Sequence, residues 1–190
     1  GWGGNTGFSF DGRIDDVRIY TRILTAAEIT NLSRSGEMVR KTASKTGLLG
    51  YWNFDEGTST TAGDFSGNGY TGTIGSGQTW ATGKRGGAIN FDAVDDVVTT
   101  TYAAGDQANW TMMAWVYDTK NNAGYRAIIQ TNVATDDALY VYPSNALGFW
   151  PCGASTATVP ANRWVYVAAT YESGVGLKYY IDGVLAGTGG

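Results

Sequence analysis

Short runs of β-branched and aromatic residues, each closed off by Gly or Asp, recur along most of this chain. The runs at 48–54, 88–91, 97–101, 110–117, 127–130, 139–142, 164–171 and 177–181 have the length and composition of strands. Asp182-Gly183, directly after the last run, predicts a hairpin, because both residues tolerate the positive φ that a tight turn requires. About ten strands at this spacing, with no long helical pattern between them, predict an antiparallel β-sandwich or jelly roll and exclude a parallel α/β sheet. One short helix interrupts the pattern. Thr25-Ala26-Ala27-Glu28 has the form of a capping box, Ile29 and Leu32 give one apolar turn, and Gly36 is a natural stop. The stretch 33–46 that follows holds Arg34, Arg40, Lys41 and Lys45 and reads as a basic, solvated linker.

Composition sharpens this picture mainly by exclusion. The 190 residues include 28 Gly, which suits many tight turns, and only 16% charged residues, which suits a packed chain. The net charge of −4 argues against a nucleic-acid partner. There is no histidine, so Ser-His-Asp and Cys-His catalysis and imidazole-ligated zinc are out of reach. Cys152 stands alone and can form no internal disulfide. No apolar run approaches the length of a membrane span, so membrane insertion is not expected.

Carboxylates and aromatic rings remain as chemistry. Acidic doublets occur at Asp15-Asp16, Asp55-Glu56, Asp95-Asp96 and Asp136-Asp137. On a regular strand, neighbours point to opposite faces, so Asp15 is expected on the inward face with Val17 and Ile19. A carboxylate buried there needs backbone amides, an ion-pair partner or a cation. The loop from Asp64 to Asn68 offers oxygen ligands and sharp glycine turns, which suit calcium, and equally an Asx-turn that pins the loop by hydrogen bonds. Tyr140 and Tyr142 share a face opposite Leu139 and Val141; an outward tyrosine pair beside Trp150 could stack on sugar rings or on a protein, or simply form cross-strand contacts.

Residues 47–190 resemble the front of a laminin G-like, concanavalin A-like jelly-roll domain of the bacterial type. The resemblance rests on Gly50-Tyr51-Trp52-Asn53-Phe54-Asp55-Glu56-Gly57, on Asp64-Phe65-Ser66-Gly67-Asn68-Gly69-Tyr70-Thr71-Gly72-Thr73, and on Gly83-Lys84-Arg85-Gly86-Gly87-Ala88-Ile89-Asn90-Phe91-Asp92. Trp164-Val165-Tyr166-Val167-Ala168 and Tyr180-Ile181-Asp182-Gly183 extend it. The segment Phe10-Asp11-Gly12-Arg13-Ile14-Asp15-Asp16-Val17-Arg18-Ile19-Tyr20, with the helix after it, resembles the final strand and helix of the same domain, yet stands first here. The expected organisation is therefore a closing strand and helix at 1–32, a linker at 33–46 and the main body at 47–190. Gly1-Trp2-Gly3-Gly4 reads as the remnant of one further strand.

The resemblance implies an all-β, concanavalin A-like jelly roll with one short helix, and a structural calcium drawing on Asp15, Glu56, Asp64 and Asn68. It implies an extracellular or cell-surface, non-catalytic binding or adhesion module that engages a glycan or a surface protein, with Tyr140, Tyr142 and Trp150 as the candidate ligand contacts. The alternative is a structural repeat that assembles head to tail by strand exchange. Glycosidases on this fold place paired carboxylates on one strand as Glu-x-Asp, and none of Glu28, Glu37, Glu56 or Glu172 has an Asp two residues on, so an enzyme is not expected. If 14–20 closes its own domain, it should pair with 49–54 of the same chain.

Overall fold

Strand β1 (Asp11–Tyr20) lies in the middle of the largest sheet. This computed structural model describes residues 9–34, 45–75, 77–102, 108–119, 124–132 and 137–189. The Gly1–Gly4 remnant and most of the basic linker lie outside the described residues. After β1 come α1 (Ala26–Arg34), β2 (Leu48–Trp52), β3 (Thr61–Ala62), β4 (Gly72–Ile74), β5 (Thr79–Thr82), β6 (Gly87–Asp92) and β7 (Val98–Thr100). The remainder is β8 (Asn109–Asp118), β9 (Arg126–Asn132), β10 (Asp137–Val141), β11 (Ala146–Trp150), β12 (Gly153–Thr158), β13 (Trp164–Glu172), β14 (Gly176–Ile181) and β15 (Val184–Gly189).

All pairings are antiparallel. The large sheet runs β15-β14-β13-β8-β1-β6-β5, with β2 joining β1 beyond the end of β6. A four-stranded sheet, β12-β11-β10-β9, and a three-stranded sheet, β3-β4-β7, supply the other side. Their inward residues, including Leu139, Val141, Leu147, Phe149, Ala62 and Ile74, meet Ile14, Val17, Ile19, Ile89, Val116, Val165 and Val167 of the large sheet in one core. The sandwich is the predicted all-β architecture. The turn Asp182-Gly183 has positive φ at both residues, as the hairpin pattern requires. Of the strands that the pattern missed, β3 to β5 have only two to four residues each, and β11, β12 and β15 are broken up by Gly and Ala.

The strand that stands first in the chain closes the sheet of its own molecule, with Val17 opposite Trp52, Arg18 opposite Tyr51 and Ile19 opposite Gly50. Its other edge pairs with β8 over nearly its full length. One expectation about β1 is overturned. Asp15 stands opposite Trp115 and Arg18 opposite Met113, so three steps in β1 face two in β8. That is a β-bulge, with Asp16 at φ 58. The extra residue reverses the parity of the strand. Core positions run Ile14, Val17, Ile19, and Asp15 lies on the outer face with Trp115, not on the inner face with Val17 and Ile19.

Helix α1 covers part of that outer face. Thr25 Oγ1 accepts from the Glu28 amide at 3.2 Å, and Glu28 Oε2 accepts from the Thr25 amide at 2.9 Å, which is the predicted capping box. Arg22 reaches the same carboxylate at 2.6 Å, and its hydrogen bonds hold Glu28 down at a pKa of about 2. Ile29 and Leu32 are buried against Tyr20, Met113, Trp115, Tyr166 and Tyr180, worth roughly 1.5–3 kcal/mol each. A buried pair, Arg126 and Asp118 at 3.1 Å, ties β9 to β8 and so joins the small sheet to the large one.

Candidate functional site

The loop after β3 is built around one carboxylate. Asp64 Oδ1 accepts from the amides of Tyr51 (3.0 Å) and Ser66 (2.8 Å); Oδ2 accepts from the Ser66 hydroxyl (2.8 Å) and the Tyr70 amide (2.9 Å). Burial works to raise the Asp64 pKa, and these donors overcome it, leaving it below the usual carboxylate range. Asn68 Nδ2 donates to the carbonyls of Leu48 and Leu49 at 3.1 and 2.9 Å, so the loop is pinned to β2 from both ends. Asp64 thus makes the Asx-turn that the sequence offered beside calcium, and Asn68 holds the loop as a donor through Nδ2.

Asp15 is in a different situation. It is buried, and its Oδ2 accepts from the Arg85 amide at 2.9 Å, while Oδ1 has no partner. Burial pushes its pKa up to about 7; the Arg85 amide opposes this, and Asp16 and Asp55 reinforce it. Because of the bulge, Asp16 faces the same loop. It binds Arg18 Nη2 at 2.9 Å and Arg85 Nη1 at 2.8 Å, and Arg85 also donates to the Leu32 carbonyl at the end of α1. The loop that carries Arg85 comes this close because Gly86, at φ +56, has no side chain; a Cβ there would lie 1.9 Å from Asp55 Oδ1. Asp55 Oδ1 in turn accepts from the Gly87 amide at 2.7 Å. Glu56 Oε1 accepts from the Gly63 amide at 2.6 Å, and its Oε2 is buried without a partner.

Of the four residues expected at a calcium ion, Asp15 and Glu56 retain a free buried oxygen, and Asp64 has both oxygens occupied. Among the described residues, the three carboxylates that come together are others: Asp92, Asp95 and Asp96 place ligand oxygens within 4.8 Å of one another. Asp96 is buried and its Oδ2 accepts from the Asp92 amide at 2.8 Å. Sequence reading noted the Asp95-Asp96 doublet but had no reason to bring Asp92 back to it across a turn.

The aromatic candidates divide. Leu139 and Val141 face the core, so Tyr140 and Tyr142 are on the outer face of the small sheet as expected. Tyr140, however, is buried, packed against Tyr125 at 6.2 Å, and cannot serve as an open contact. Tyr142 is half-buried; its ring lies across Gly148, where a Cβ would come within 2.5 Å of it, and it packs on Tyr125 at 5.0 Å. Trp150, two residues past Gly148 on the same strand, is 47% exposed. Tyr142 and Trp150 therefore share the outer face of the small sheet, with Tyr125 packed on Tyr142 and the Tyr142 ring lying across Gly148. Tyr125 and Gly148 carried no sequence signal, since their role depends on which strands become neighbours. Trp52, Trp115 and Trp164 pack in or against the cores.

Comparison with known proteins gives one finding. The family model described as the concanavalin A-like lectin/glucanases superfamily, Laminin_G_3, matches residues 91–190, more than half of the chain. No curated protein and no solved structure gives a match.

Proposed function

The chain belongs to the concanavalin A-like lectin/glucanase superfamily, and on that premise we propose that it is a non-catalytic recognition module, extracellular or on a cell surface, that binds a glycan through the outer face of the small sheet. The observation that carries the reading is the exposure of Trp150 beside Tyr142, in a chain whose Trp52 and Trp115 are buried. An indole ring held at the end of a strand offers a flat apolar face to the C–H face of a sugar. A protein partner would use the same surface. No helix among the described residues is long and apolar enough to cross a membrane.

A structural calcium is part of this proposal, supported by the unpartnered buried oxygens of Asp15 and Glu56. Asp64 would reach an ion only by giving up hydrogen bonds it already makes, whereas the bonds that pin Asn68 use its Nδ2 and leave Oδ1 as the ligand atom. Head-to-tail assembly by strand exchange is the weaker reading, because β1 has β2, β6 and β8 as partners in its own chain. The test is a glycan array read with the native protein and Trp150→Ala. The exposed ring contributes little to stability, so the variant should melt unchanged and lose about tenfold in affinity for whichever glycan binds. Undiminished binding by the variant would remove this surface from the proposal.

A further inference from the structure

The outer face of the large sheet is only partly covered by α1, and its open part carries a row of side chains that crosses five strands. Strand register sets Thr79 of β5 opposite Asn90, Asn90 opposite Arg13, Arg13 opposite Tyr117, and Tyr117 opposite Trp164. At strand spacings of about 4.8 Å the row is roughly 19 Å long. None of the five is buried. Arg13 lies 4.1 Å over the Tyr117 ring and 5.4 Å from the Trp164 ring, and donates to the Thr82 carbonyl; among the described residues it has no carboxylate partner. Lys84, exposed and also without a carboxylate partner among the described residues, stands 5.0 Å from the Trp115 ring in the adjoining row. The acids that flank Arg13 on β1 are already engaged, Asp11 by the Thr119 hydroxyl at 2.5 Å and Asp15 by the Arg85 amide.

We propose that this row is a second binding surface, for a glycan that carries carboxylates, such as a uronic-acid chain lying across the strands. The inference rests on the reading of the chain as a recognition module but places a different ligand class on a different sheet. Trp164 supplies ring surface for a sugar face, and Tyr117 holds Arg13 in place beside it. Arg13, with its planar fork of donors, and Lys84 supply positive charge for carboxylates, and Asn90 and Thr79 supply hydrogen bonds for hydroxyls. In a chain of net charge −4, two cations that pair with no carboxylate among the described residues, set among aromatic rings on one face, favour an anionic partner.

The experiment titrates the native chain with oligogalacturonate, alginate and hyaluronan oligomers, with methyl-esterified oligogalacturonate as the neutral twin and with a polyglutamate peptide. The expected result is binding of at least one uronate, weakened by salt and by esterification, with the Trp164 indole N–H resonance shifted. Arg13→Gln and Lys84→Gln should each lose about tenfold in affinity with melting temperatures close to the native value, and Trp150→Ala should lose nothing. No uronate binding, equal binding of the esterified chain, tighter binding of polyglutamate, or binding that shifts no Trp164 signal would each overturn the proposal. Loss on Trp150→Ala alone would overturn it and leave the small-sheet reading standing.

Discussion

Asp15 and Asp64 are both short acids, one within β1 and the other in the loop after β3, and the fold treats them in opposite ways. Asp64 sits in a loop, half-buried, with four donors on its two oxygens, and its pKa is held down. Asp15 sits on a strand, buried, with Oδ2 held by the Arg85 amide and Oδ1 without a partner, and its pKa is pushed up to about 7. The difference is not one of residue type; burial with few donors sets it, and the nearby charges of Asp16 and Asp55 add to it. A loop bends its own backbone amides around a carboxylate, whereas a strand has already committed its amides to the ladder. Asp64 is a structural anion; Asp15 is a carboxyl that the fold prefers neutral or paired with a cation.

The strongest test of that contrast falls on Asp16, which holds the charge of the doublet. Asp16→Asn keeps the side-chain shape and tolerates the positive φ, but leaves the buried Arg18 guanidinium facing an amide. A loss of roughly 3–5 kcal/mol in denaturant unfolding is expected. A loss below about 1 kcal/mol would mean that Asp15 shares the charge, and the contrast would fail.

Next in size is the pH dependence of Asp15. Its folded pKa, about 7, is raised from 3.8, so the fold favours the protonated form. In chelator, stability contributed by this group is therefore complete below pH about 4 and is lost as pH rises to about 7, by up to about 4 kcal/mol at 1.4 kcal/mol per unit. Asp15→Asn should remove that part of the profile and be the more stable protein at pH 8. Calcium sharpens the point: an ion at Asp15 would hold the carboxylate charged, cancel the loss and raise the melting temperature. If neither calcium nor Asp15→Asn changes the profile between pH 4 and 7, Asp15 is not the buried acid described here.

The smallest effect is expected at Asp64, with the opposite sign in pH. Its pKa is depressed, so its contribution is present above the ordinary carboxylate range and lost as pH falls below it. Asp64→Ala leaves the amides of Tyr51, Ser66 and Tyr70 without their acceptor and should cost about 2–3 kcal/mol, softened because water reaches the loop. Calcium should stabilise this variant as much as the native chain if Asp64 is purely a hydrogen-bond anchor. A calcium effect abolished by Asp64→Ala would return Asp64 to the metal site.

Local chemistry was legible in the sequence wherever it acts within a few residues. Thr25 and Glu28 cap α1 as their spacing requires, Asp182-Gly183 turns β14 into β15, and the Asp64 loop closes on its own amides. The sandwich followed from the strand pattern, because alternation and turn residues set the period and the number of breaks. What only the tertiary structure decided depends on register and on contacts between distant segments. The bulge at Asp16 moved Asp15 to the opposite face, and a parity rule cannot foresee an inserted residue. Tyr140 became buried because Tyr125 packs against it, and Trp150 stayed open. Arg13, Tyr117 and Trp164 are 104 and 47 positions apart in the chain and form one row only because β1 settles beside β8, and β8 beside β13. A sequence fixes the chemistry that each residue can offer, but which residues share a surface is set by the pairing of strands, where the energy lies in contacts that no local pattern records.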